Sequence, residues 1–328
     1  MTIHRLCVQG RDEISIFFAP GRHIDGFRRR AEAAGRPFPV SVNMGLDPAI
    51  HIGATFEAPT TPLGYDELAI AGGLRGAPVR LADCLTVEQK AIANAEIVIE
   101  GHIGPGRRVA EDQNTHTGHA MPEFPGYTGP ANPALPVLKV TAVTTRTDPI
   151  LQTLVGPGEE HTSLAGIPTE ASIFRALHKA MPGLVTEVHA HTAGGGKFLA
   201  VLKCVKSSAF DDGRARQAAL VAFGAYTELK NVILVDRDVD IFDTDDVLWA
   251  MQTRMQGDVD ITIPGVAGHV LDPTQGPDYN PALPARGATA KTIFDATVPF
   301  RLAAAFERAR FEDVDPRPYA PELDLPYP

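Results

Sequence analysis

The chain has 328 residues, 44% of them hydrophobic and 21% charged, enough to bury one large core or two modest ones. With 30 Lys and Arg against 40 Asp and Glu the formal net charge is −10, which argues against nucleic acid as a partner, because phosphate-backbone binding rests on clustered cations. Cys7, Cys84 and Cys204 form neither a disulfide framework nor a metal-ligand spacing; the opening MTIHRLCVQGRDE has no signal core and no run approaches the roughly 20 apolar residues of a membrane span, so a reducing, cytoplasmic location with no membrane partner is expected.

In chain order, the first part shows short alternating or β-branched runs between turn residues: EISIFFAP (13–20), PVSVNMG (39–45), PVRLADC (78–84), AEIVIEGHIG (95–104) and PVLKVTAVTTR (136–146). That rhythm predicts a barrel or sandwich, interrupted by one amphipathic helix, IDGFRRRAEAAG, whose Arg28 to Arg30 read as a solvated face. After about residue 155 the pattern changes to α/β. PTEASIFRALHKAM predicts a helix opened by Pro168 and Thr169, followed by strands VTEVHAH and KFLAVLKCV. The helix GRARQAALVAFGAYTEL, the strand NVILVDRDVDI and the helix TDDVLWAMQTR complete the layer. The closing DVDPRPYAPELDLPYP is a proline-rich tail, disordered or laid across a partner subunit.

Two motifs fail on spacing. VDRDVDIFDTDDV places Asp236, Asp238 and Asp240 at alternate positions, but the sixth residue is Ile241 and the twelfth Val247, where a calcium loop needs Gly and Glu; Asp243 or Thr244 capping the next helix is the simpler reading. HAHTAGGGKF lacks the first Gly and the final Ser or Thr of a phosphate loop and reads as a Gly-rich hairpin between two strands, with His189 and His191 on one face. The segment EDQNTHTGHAMPEFPGYTGP, from Glu111, reads differently. Pro122 and Pro125 restrict the backbone around Glu123, which suits a positioned acid on a functional loop.

Several segments in order, MTIHR, APGRHI, GLDPAI, GYDELAIAGGLRGAPVRL, AEIVIEG, PEFPGYTG, VTTRTDPI, VDRDVDIFDTDDVLWA and KTIFDAT, resemble the UbiD-type decarboxylases. THTGHAMPEFPGYTGPANP, GPGEEHTSLAGIPTEAS and HTAGGGKF look most like the gallate and protocatechuate branch. The resemblance implies an α+β chain: a split β-barrel, flavin-reductase-like domain over residues 1–154, an α/β domain over 155–300, and a C-terminal helix with its tail over 301–328 as an oligomer contact. It also implies prenylated FMN, a divalent metal such as manganese with potassium nearby, a flavin prenyltransferase as cofactor supplier, and a homo-oligomer, dimer or hexamer. The substrate implied is an aromatic, hydroxybenzoate-type acid, decarboxylated reversibly and without oxidation.

Residue by residue, Arg5 matches the family arginine that pairs with a carboxylate, and Glu123 matches the acid before GY. The family's second acid lies five residues earlier, where this chain has Gly118; Glu111, His116 or His119 takes its place. Thr2, Ile3, His4 and Arg5 should run beside the flavin, with Arg22, Ala54 and Thr55 near it and Lys291 toward the phosphate. His23 and Glu67 match two of three metal ligands. The third, an Asn, falls one position before Met1. A truncated product, a split enzyme whose separate N-terminal subunit supplies the missing part, or a degenerate homologue would each account for this, and a non-catalytic subunit is the alternative to a lyase.

Overall fold

The computed structural model describes residues 1–19, 22–56, 61–268, 271–275, 279, 288–309, 311–312 and 314–320. The chain is a mixed α+β protein. Its first part runs β1 (Leu6–Val8), β2 (Glu13–Ile16), α1 (His23–Ala33), β3 (Phe38–Met44), α2 (Pro48–Thr55), α3 (Glu67–Arg75), β4 (Leu81–Asp83), β5 (Lys90–Ile92), β6 (Ile97–Val109), β7 (His119–Pro122), β8 (Thr128–Pro130) and β9 (Leu135–Thr145). The strands β1-β2-β9-β6-β3 form one antiparallel sheet. Ile14, Ile16, Val40, Ile103 and Leu138 form its core, against which Ile24 of α1 packs, as alternation along half-buried strands requires. Among the described residues β1 does not pair with β3, so the sheet is open rather than a closed barrel.

The second part runs α4 (Glu159–Ala180), β10 (Val185–Ala190), a 3-10 turn (Thr192–Gly194), β11 (Leu199–Cys204), α5 (Asp211–Ala225), β12 (Asn231–Asp236), α6 (Thr244–Arg254), β13 (Ile261–Thr262), β14 (Gly265–Ala267), β15 (Ala288–Ala290) and β16 (Thr292–Ala296). Its sheet has the order β10-β11-β12-β16-β13, with β11, β12 and β16 parallel. Both faces are covered. Leu202, Leu234 and Ile293 pack against Ile173 and Leu177 of α4 and the alanines of α5, while Val201, Ile233 and Val235 pack against Val247 and Ala250 of α6, which is why the centres of β11 and β12 are unbroken apolar runs in sequence.

Four expectations are corrected. α4 begins at Glu159, so Pro168 lies inside it; the hydroxyls of Thr169 and Ser172 donate to the carbonyls of Ala165 and Pro168, occupying acceptors around the proline. The arginine run is not uniformly solvated: Arg28 is buried, donating to Asp25 and Glu32 with its guanidinium over the Phe18 ring. The segment around Glu123 is a tight hairpin, β7 and β8, rather than an irregular loop. In place of a C-terminal α-helix, Phe300–Phe306 forms 3-10 turns, drawn back by Asp212 accepting from the Phe300 N–H and by Arg308 stacking on Trp249 of α6. Residues 310, 313 and 321–328 of the expected tail lie outside the described residues.

Lys291, between β15 and β16, is 1% exposed. Its Nζ donates to the Thr227 carbonyl at 2.7 Å and sits 5.1 Å from the Phe223 ring. Burial holds its ammonium down at about 8, against an ordinary 10.5. Between those values the unfolded chain binds the proton and the folded chain releases it, so this group makes stability rise with pH across that window. In urea denaturation followed from pH 7.5 to 10, Lys291→Met should lack this rise, by about 1–3 kcal/mol relative to the unmodified chain; parallel curves would contradict the assignment.

Candidate active site

Arg5 enters β1 with its backbone fixed by the Phe17 N–H donating to its carbonyl, and its guanidinium lies 4.7 Å over the Phe17 ring. Two carboxylates meet it from one side of the sheet. Nε and Nη2 donate to the two oxygens of Glu111 at 2.6 and 3.0 Å, a bidentate fork, while Nη1 donates to Glu123 Oε1. Glu111 follows β6, is 5% exposed, and is held a second time by the Asn132 N–H, which donates to its Oε2 at 2.9 Å. Charge-assisted forks of this kind fix direction as well as distance. The structure therefore brings Glu111 to Arg5 and leaves His116, on the intervening loop, and His119, at the start of β7, exposed.

Glu123 occupies the turn of the β7–β8 hairpin. Its N–H donates to Tyr127 O at 2.8 Å, and Gly126, at φ +89°, donates back to its carbonyl at 2.9 Å. Gly129 must be glycine because a Cβ there would lie 2.9 Å from Glu123 Cγ. The second part of the chain closes the other side. His161, in the first turn of α4, has a buried Nδ1 without a hydrogen-bond partner among the described residues; burial lowers its pKa, Glu123 opposes that, and Lys197 adds to it. Lys197 Nζ lies 5.6 Å from the Phe124 ring and bonds Glu228 Oε2 at 2.5 Å and Tyr226 Oη at 2.8 Å. Neither His161 nor Lys197 was singled out in the sequence, because only folding brings α4 and the 191–198 loop to Glu123.

The residues expected to hold a cofactor fall into one corner, Lys291 excepted. Ile3 N–H donates to Ala54 O at 3.2 Å, and Thr2 Oγ1 lies 3.3 Å from His4 Nε2. His4 packs edge-on to Phe18, where burial and then Arg22 lower its pKa to about 4, so the ring is neutral. Arg22 Nη1 donates to Phe56 O at 2.8 Å and Thr55 O at 3.4 Å. Helices α2 and α3 meet closely, a Cβ on Gly53 falling 2.9 Å from Glu67 O, and this sets Glu67 opposite His23: Nδ1 to Oε1 is 3.4 Å. The Met1 ammonium bonds the other Glu67 oxygen at 2.9 Å. Among the described residues no group of three His, Cys, Asp or Glu gathers to hold a metal; His23 and Glu67 stand as a pair. Among the described residues Lys291 contacts Thr227, Phe223 and Pro264.

Residues 1–159 match the family model described as the UbiD, 3-octaprenyl-4-hydroxybenzoate carboxy-lyase Rift-related domain, and residues 162–296 match the UbiD carboxy-lyase C-terminal domain. The chain belongs to the UbiD family. It is 53% identical to gallate decarboxylase of Lactiplantibacillus plantarum over 317 residues, covering 96% of this chain and 65% of that protein. Among solved structures, apo 3,4-dihydroxybenzoic acid decarboxylase of Klebsiella pneumoniae superposes with a TM-score of 0.90 at 65% identity, covering 99% of this chain and 67% of that one. An evolved dimeric form of the UbiD-class enzyme HmfF from Pelotomaculum thermopropionicum, in complex with prFMN, matches with a TM-score of 0.79 at 36% identity over 94% of this chain and 63% of that one. The chain thus spans about two thirds of the length of these relatives.

Removing the guanidinium should leave Glu111 buried and facing Glu123 without a counter-charge. Arg5→Leu is expected to lower stability by about 2–4 kcal/mol, and Arg5→Leu with Glu111→Leu to recover at least half of it. Urea denaturation checks this; equal losses in the two variants would contradict it.

Proposed function

We propose that this chain carries the catalytic centre of a reversible, non-oxidative decarboxylase for a hydroxybenzoate such as gallate or protocatechuate. The observation that carries the proposal is Arg5 held between Glu111 and Glu123. A guanidinium has five N–H donors; three are used on the two glutamates, and the remaining two on Nη1 and Nη2 suit one oxygen or both of a substrate carboxylate. The relatives named for gallate and 3,4-dihydroxybenzoic acid support the substrate class.

Cleaving the bond between ring carbon and carboxylate leaves an electron pair on the ring that no side chain can accept, and prenylated FMN, when bound, supplies that electron sink. The donor set suits the flavin: the segment Thr2–Arg5, the α2 end at Ala54 and Thr55, and Arg22, a guanidinium for an anionic cofactor, line one corner. Arg5 orients the carboxylate. Glu123, with a side chain 17% exposed, carries a proton to the vacated ring carbon as CO2 departs and is reprotonated from solvent. Glu111 holds Arg5 in plane, and His161 Nδ1, which has no hydrogen-bond partner among the described residues, serves as a partner for a ring hydroxyl, the group that gains most from a hydrogen bond.

Further parts of the proposal are a split-barrel flavin domain over residues 1–154 containing the antiparallel sheet, an α/β domain over 155–300, a homo-oligomer, a cytoplasmic location and cofactor supply by a flavin prenyltransferase. No described helix is long and apolar enough to cross a membrane. His23 and Glu67, whose Nδ1 and Oε1 lie 3.4 Å apart, would supply two ligands to a divalent ion such as manganese, with potassium nearby.

For the chain co-expressed with a flavin prenyltransferase, Glu123→Gln should lower kcat on 3,4-dihydroxybenzoate at least 100-fold while the flavin absorbance of the purified protein is retained. Full turnover in that variant would remove Glu123 from the reaction.

A further inference from the structure

The glycine run in HTAGGGKF has no phosphate-loop spacing, and the structure shows a different reason for it. Gly195 sits at φ +63°, and a Cβ there would lie 2.5 Å from Phe124 Cδ2 and 2.6 Å from the Phe124 carbonyl oxygen. Gly196, at φ +71°, lies flush against α4, its Cβ position 2.3 Å from Thr162 O and 2.8 Å from Gly166 N. No other residue type fits either place without moving backbone. The loop therefore fills the space between α4 and the hairpin that carries Glu123.

Phe124 is the side chain it holds. The ring is 6% exposed, meets Phe198 edge to face at 5.0 Å, and lies under the Lys197 ammonium at 5.6 Å. The backbone of the gripping loop is tied on itself, Lys197 and Phe198 both donating to Gly194 O at 3.1 and 2.9 Å. Three residues of one loop, Gly195, Lys197 and Phe198, thus fall on the residue next to the acid. By contrast, Glu123's own anchors are its hairpin hydrogen bonds and the ion pair to Arg5.

We infer that Gly195 and Phe124 are positioning residues: the second sheet, through the 194–198 loop, sets where the Glu123 carboxylate stands relative to Arg5. This rests on the role proposed for Glu123 as the proton donor. Neither residue touches the reacting atoms; their effect is transmitted through the backbone of the turn, where a displacement of about 1 Å is enough to cost on the order of 100-fold in rate.

The test uses the chain co-expressed with a flavin prenyltransferase and assayed on 3,4-dihydroxybenzoate. Gly195→Ala should lower kcat at least 10-fold with KM changed less than threefold, and should speed hydrogen exchange of the Glu123 and Gly126 amides. Gly224→Ala, on α5 with nothing within 4 Å of its Cβ, should change neither. In a cycle with Glu123→Asp, which keeps a carboxylate, the Gly195→Ala loss should shrink at least threefold, because both substitutions act on the same group. Additive losses, or unchanged kcat with unchanged exchange in Gly195→Ala, would overturn the inference. Should Gly195→Ala not fold, Phe124→Leu is read by the same kcat, exchange and cycle. Failure of the underlying reading looks different: the unmodified chain releases no CO2, or Glu123→Gln keeps full turnover, while the exchange measurement still decides whether the loop positions the hairpin.

Discussion

A single guanidinium joined to two carboxylates is the constraint around which this structure is arranged. Arg5 can hold Glu111 and Glu123 at once only if three separate pieces of chain meet: the entry to β1, the exit of β6, and the turn between β7 and β8. Each has its own anchor. Phe17 lies under the guanidinium, the Asn132 amide holds Glu111, and Gly129 makes room for Glu123. Carboxylates this close repel unless a cation lies between them, so Arg5 serves the fold as well as any substrate. The second sheet adds the remaining wall, bringing a neutral His161 and a paired Lys197 to the same place.

The fold was legible where periodicity is strong. β3, β6 and β9 alternate apolar and polar residues, β11 and β12 are continuous apolar runs, and α6 covers TDDVLWAMQTR, capped by Asp243 accepting from Asp245 and Asp246. Short elements were missed. α2 and α3 have 8 and 9 residues, too few for a periodic stripe, although Asp47 before Pro48 and Asp66 with Gly76 are ordinary start and stop signals. α4 was cut short because proline was weighted as a helix opener, when the Gly158 cap and the acidic Glu159 and Glu160 mark the true start. The hairpin around Glu123 was invisible because its strands are 4 and 3 residues long and its pairing is irregular.

For the site, resemblance and geometry met at different residues. Motif order pointed to Arg5, Glu123, His23 and Glu67, and left open which residue stands second beside Arg5. Only the fold selects Glu111, since 106 residues separate it from Arg5 in sequence, and no local pattern encodes that approach. His161, Lys197 and Phe124 were hidden for the same reason. Lys291, which the family pattern puts toward the phosphate, has its ammonium buried against Phe223 and the Thr227 carbonyl, burial that no local sequence pattern announces. His23 and Glu67, which motif order matched to metal ligands, stand side by side in the structure, Nδ1 to Oε1 3.4 Å.

The claim that ties these parts together is that the Arg5 centre exchanges a ring carboxylate for a proton. The most direct measurement is carbon-13 and deuterium NMR on carboxyl-labelled 3,4,5-trihydroxybenzoate in D2O, incubated with the chain after co-expression with a flavin prenyltransferase. The account predicts labelled CO2 together with a product carrying deuterium at the vacated ring carbon. Label that stays on the ring, or leaves without deuterium taking its place, would contradict it.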